Sequence, residues 1–115
     1  MLTTLSNDVT SLVPEWARDP QNKWVGTSGR ARVVVYNTDA VSPSDLPASL
    51  EGFTDPKWKG KIGFPPTNSS FHAMVTGMRL TWGDEKTKSW LEGIMANEPK
   101  FYAKNTPTVE AAGKG

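Results

Sequence analysis

The amino-acid sequence predicts an α/β domain with a mainly parallel sheet, and three observations carry that reading. Ala31-Arg32-Val33-Val34-Val35-Tyr36-Asn37 is a β-branched run bounded by Gly29 and Asn37, the signature of a strand. Its three consecutive valines fit a strand covered on both faces, as strands in parallel sheets are. Downstream, short apolar strand candidates alternate with stretches of helical periodicity, the order from which a layered α/β fold is built.

The elements follow in chain order. Residues 1–29 are mixed, with Trp16 and Trp24 as anchors, Pro14 and Pro20 as breaks, a short helix through Val9–Trp16 and a turn-rich Gly26-Thr27-Ser28-Gly29. Residues 38–60 read as a loop and short helix, with Leu50, Phe53 and Trp58 as apolar points. Lys61-Ile62-Gly63-Phe64 is a second strand, stopped by Pro65-Pro66. Phe71, Met74, Val75, Met78 and Trp82 recur at helical spacing and predict an amphipathic helix from Ser69 to Thr81, ended by Gly83. Asp84 is placed to cap the next helix, through Ala96, with Trp90, Leu91, Ile94 and Met95 on its buried face. Phe101-Tyr102-Ala103 reads as a third strand. Thr106 then serves as a helix cap and Pro107 as the first helical residue. That last helix has only Thr108 to Ala112 before Gly113, too little to bury much apolar surface, so the polypeptide is expected to continue.

Composition narrows the function classes. A chain of 115 residues holds one domain at most, and 37% hydrophobic with 22% charged residues is ordinary globular composition. Thirteen basic residues against twelve acidic ones leave a net charge of +1, with no electrostatic footprint for nucleic acid. The absence of cysteine removes disulfide frameworks, thiolate zinc sites and cysteine nucleophiles together. No apolar run approaches the roughly 18 residues that span a bilayer. Met1-Leu2-Thr3-Thr4-Leu5 lacks the pattern of an export leader, so the chain reads as cytoplasmic unless a leader lies outside it.

The most informative segment is Phe64-Pro65-Pro66-Thr67-Asn68-Ser69-Ser70-Phe71, where a strand ends, two prolines stiffen the turn and small polar residues open a helix. The first turn of a helix leaves N–H groups unpaired and carries partial positive charge, so this junction suits a small oxyanion. Capping alone also accounts for a polar residue there. Asn105 repeats the arrangement at a second strand end, and ligands of open α/β sheets bind beyond the carboxyl ends of strands. Enzyme signatures are lacking: no catalytic residue is assigned, and His72, the single histidine, reads as a partly exposed helix residue. There is no G-x-S-x-G turn, P-loop or G-x-G-x-x-G, and Asp84-Glu85 reads as helix N-terminal charge. Tyr36 and Tyr102 read as core or strand-edge residues, and no metal ligand is assigned.

The sequence also resembles a known family. Trp24-Val25-Gly26 with Ser28-Gly29-Arg30-Ala31-Arg32-Val33-Val34-Val35-Tyr36-Asn37 looks like the start of the second lobe of periplasmic ferric-ion-binding proteins, the solute receptors of iron ABC transporters. The run from Phe53 to Phe64, through Asp55-Pro56-Lys57-Trp58-Lys59-Gly60, is similar to a segment of many type 2 periplasmic binding proteins. Pro66-Thr67-Asn68-Ser69-Ser70-Phe71 and Tyr102-Ala103-Lys104-Asn105 resemble the iron-binding branch. The resemblance implies a partial lobe with a three-layer, mainly parallel sheet flanked by helices. Residues 1–29 are then a lead-in from the first lobe and hinge, and 30–115 an incomplete second lobe.

For function, the resemblance implies ferric ion held in a cleft with a synergistic carbonate or phosphate. That anion would rest on Asn68, Ser69 and Ser70, near Asn105, with Arg30 helping to hold carbonate as in some members. The family's principal metal ligands, two adjacent tyrosines, follow the helix that starts at Thr106 and are not in this chain. A tyrosine that some relatives carry after the anion loop is Phe71 here. The chain alone is therefore expected to bind iron weakly or not at all. The implied partner is an ABC transporter permease and the implied location periplasmic or extracellular, free or lipid-anchored. The alternatives are a receptor for another small anion or a polyamine, or a stand-alone interaction domain. Uncovered sheet edges lead to the further expectation of self-association.

Overall fold

The computed structural model describes residues 2–115, and the chain divides into two compact units, Met1–Ala31 and Arg32–Gly115. In the first unit, a short helix α1 (Asn7–Thr10) and a single 3-10 turn at Glu15–Ala17 replace the one helix predicted over Val9–Trp16. Pro14 separates the two, since it has no N–H with which to continue a helix. An antiparallel bridge joins Arg18 to Val25, and the turn between them closes with Asn22 at φ 56°. The Arg18 guanidinium donates to the carbonyl of buried Thr10 at 3.0 Å and ties the helix to this turn. Trp16 and Trp24, predicted as anchors, are instead 84% and 49% exposed.

The second unit is built on β1 (Gly63–Phe64), α2 (Ser69–Trp82), α3 (Asp84–Ala96), β2 (Lys100–Phe101) and α4 (Asn105–Lys114). A chain of 3-10 turns at Pro43–Asp45, Leu50–Thr54 and Pro56–Trp58 precedes them, where the sequence suggested a loop and one short helix. The two strands pair in parallel, Gly63 opposite Lys100 and Phe64 opposite Phe101. Gly63 is required for close approach, because a Cβ there would meet the Tyr102 ring at 2.8 Å.

Periodicity located α2 and α3 within a residue at each end. Phe71 and Met78 are buried on α2, with Met74, Val75 and Trp82 half-buried beside them. On α3, Trp90 and Ile94 are buried and Leu91 is half-buried, but Met95 is 51% exposed, one step too far round the helix. Met78, Trp90 and Ile94 form the centre of the core, covered by Leu50, Phe53, Ile62, Phe64, Met74, Trp82 and Leu91. The Trp90 indole N–H donates to the Leu50 carbonyl at 2.7 Å, which seats the 3-10 segment on α3. Asn97 fixes the same segment: its buried amide donates to the carbonyls of Phe53 and Asp55, both at 2.9 Å.

Three expectations fail here for stated reasons. Ala31–Asn37 forms no strand, and Val33, Val34 and Val35 are 69%, 47% and 48% exposed. A strand needs a neighbour, and among the described residues β1 and β2 pair only with each other. Asp84 does not cap α3: Gly83 (φ 86°) separates the helices, and the Asp84 carboxylate turns back to pair with Arg79 at 2.6 Å. Thr106 does not cap α4, which begins at Asn105 with Pro107 still in the first turn, where no N–H is needed, and runs through Gly113 to Lys114.

Candidate functional site

The parallel pairing decides which polar residues share an edge. β1 runs into α2 after Pro65-Pro66-Thr67-Asn68, and β2 runs into α4 after Tyr102-Ala103-Lys104. Because the strands point the same way, both helices start beyond the same end of the sheet. Asn68, Ser69 and Ser70 open one helix and Asn105 is the first residue of the other.

At the first helix start the turn is locally determined. Buried Pro65 accepts from the Asn68 N–H at 3.1 Å, and the His72 ring Nε2 lies 2.8 Å from the Pro66 carbonyl, so exposed His72 braces the turn. Phe64 stacks on Phe71 with ring centroids 4.8 Å apart, which ties the strand end to the first turn of α2. Asn68 is extended (φ −77°, ψ 130°) and caps the helix: its Oδ1 accepts from the Ser70 N–H at 2.9 Å and from the Ser70 hydroxyl at 2.6 Å. The Asn68 carbonyl accepts from the N–H groups of Phe71 and His72. What remains without an intramolecular partner, among the described residues, is the Asn68 side-chain amide N–H, the Ser69 N–H and the Ser69 hydroxyl. These are neutral donors at the positive end of a helix dipole.

Asn105 is exposed and makes no side-chain cap. Arg30 is exposed and lies in the first unit, Met1–Ala31. The residue that reaches the loop from within the second unit is Arg32, which sequence reasoning passed over. Its Nη2 donates to the Ser70 hydroxyl, and its guanidinium lies 5.7 Å from the centre of the Phe71 ring. Tyr36 and Tyr102 are half-buried. Among the described residues no group of three or more His, Asp or Glu side chains could hold a metal ion. Among the described residues no helix is long and apolar enough to cross a membrane.

Parallel strand ends that open onto helix starts form the ligand-facing edge of α/β binding proteins. The comparisons with known proteins agree with that class. Residues 1–114 match the model of the bacterial extracellular solute-binding protein family, and the chain belongs to that family. It is 39% identical over 92 residues to the major ferric iron-binding protein of Neisseria meningitidis, covering 80% of this chain and 28% of that protein. It is 36% identical over 93 residues to iron uptake protein A2 of Synechocystis, covering 80% of this chain and 27% of that protein. The structure superposes on iron-bound HitA from Pseudomonas aeruginosa with a TM-score of 0.85 and 32% identity, covering 96% of this chain and 36% of that one. The chain thus spans between a quarter and two fifths of the length of these relatives.

Proposed function

We propose that this chain is part of the solute-binding component of an ABC transporter for ferric iron, and that it supplies the bed for a carbonate or phosphate that accompanies the metal. The observation that carries the reading is the shared edge: unpaired donors of Asn68 and Ser69 at one strand end, Asn105 at the adjacent one. Neutral donors suit an anion whose charge the metal already balances, and a fixed helix start needs no reorganisation to receive it. The names of the relatives, iron-binding and iron-uptake proteins, support iron as the cargo.

On this reading residues 1–29 lead in from a first lobe and hinge, and 30–115 belong to a second lobe completed by further strands into a three-layer sheet. The full protein works outside the cytoplasmic membrane with a permease, and its metal ligands come from chain beyond this one. On this reading Asn68, Ser69, Ser70 and Asn105 form the bed of the anion.

The test is a titration of ferric ion, with carbonate or phosphate present, into a full-length protein carrying this chain and into its Asn68→Ala and Asn105→Ala variants. Weaker iron binding that no longer responds to the added anion is the expected result. Iron binding unchanged in both variants would overturn the anion role. The 115-residue chain alone should take up little or no ferric ion and should self-associate, as measured by sedimentation.

A further inference from the structure

We propose that residues 32–36 form a self-complementary pairing segment, through which two copies of this chain join as antiparallel strands centred on Val34. Among the described residues no backbone hydrogen bond involves this segment, and Val33, Val34 and Val35 are all exposed. Unpaired backbone carrying β-branched side chains and no proline is a template for another strand. The chain's own strands are poor partners, because β1 and β2 are two residues each and are already paired with one another. A second copy offers the whole segment at once. The self-association expected from open sheet edges is thereby assigned to one place.

Charge and side-chain shape select the register. Antiparallel pairing centred on Val34 sets Val33 against Val35 of the second copy and Val34 against its own counterpart. It also sets Arg32 against Tyr36 of the second copy, so the guanidinium meets a phenol ring and not a like charge. No other antiparallel register matches every valine with a valine. Parallel in-register pairing matches them too, but it places Arg32 on Arg32, which repels. The contact is isologous, since the same residues serve on both sides of a two-fold axis. One short ladder covers less than the roughly 1,200 Å² of a stable interface, so the association depends on concentration.

The chain has no cysteine, so single introduced thiols report the register. Val33→Cys, Val34→Cys and Val35→Cys proteins are oxidised with glutathione disulfide, and covalent dimers are followed on non-reducing gels. Opposed residues of an antiparallel pair have Cα atoms about 4.5–5.5 Å apart, within reach of a disulfide. Val34→Cys should cross-link to itself about tenfold faster than either other variant alone, and a mixture of Val33→Cys with Val35→Cys should regain that rate. Equal rates for Val33→Cys and Val34→Cys alone would overturn the register. Sedimentation across a concentration series, up to about 1 mM, measures the association itself. Val34→Pro removes a ladder N–H at an exposed position and should weaken it by about tenfold or more, with helices retained by circular dichroism; Val34→Ile should preserve it. Wild type that stays monomeric, or undiminished association in Val34→Pro, would overturn the pairing. Neither readout involves an ion, so either result leaves the iron-transport reading as it stands.

Discussion

Two regions of the second unit carry apolar residues that signal regular structure, and they end in opposite states. The α2–α3 region buries Met78, Trp90 and Ile94, and its segments are stitched by side chains that reach backbone: Trp90 to Leu50, Asn97 to Phe53 and Asp55. The valine segment has a stronger strand sequence than β1 or β2, yet no backbone hydrogen bond involves residues 32–36 among the described residues, and its valines are exposed. The difference is one of partners. A helix satisfies its own backbone, so a periodic sequence suffices to make it, whereas a strand is defined by a neighbour that its own sequence does not encode.

That contrast can be broken most sharply in the core. Ile94→Ala removes a side chain that is 3% exposed and should cost about 2–5 kcal/mol, read as a lower denaturant midpoint. Asn97→Ala strands two carbonyls at once and should cost about 2 kcal/mol or more by the same measurement. Gly93→Ala sharpens the point, because a Cβ there would meet Thr54 at 2.7 Å. Although alanine favours helix by about 1 kcal/mol, the crowding should win and lower the midpoint. In the valine segment, Val34→Thr should change stability by less than about 0.5 kcal/mol, since the position is 47% exposed and unpaired. A loss there as large as that at Ile94 would mean that the segment is packed in solution.

The smallest effect concerns pH. The hydrogen bond and charge of Arg79 hold the Asp84 carboxyl below its ordinary pKa, and both side chains are exposed. The pair therefore contributes above the unfolded carboxyl pKa, and the contribution fades as pH falls through the folded value. Asp84→Asn should narrow the difference in Tm between neutral and acidic solution slightly, and added salt should erase that narrowing.

The same physics explains what the sequence made legible. Helical spacing located α2 and α3, and Gly83 marked their junction, because each is a property of the chain itself. Asn68 was readable as a cap, because a polar side chain after a strand and before an apolar period acts on its own helix. Arg32 was not readable, because its contact with Ser70 spans 38 residues and depends on where a segment without regular structure lies. Met95 was misplaced by a single position on a helical face, and Asp84 by a partner, Arg79, that competes for its carboxylate.

The central claim is that the ends of β1 and β2 form one anion-binding edge. A residue-resolved titration of the chain with bicarbonate tests it most directly. The account predicts that the amides of Ser69 and Asn105 shift together along a single saturation curve. Saturation at Ser69 with Asn105 unmoved would contradict it, because the two strand ends would then not share a ligand.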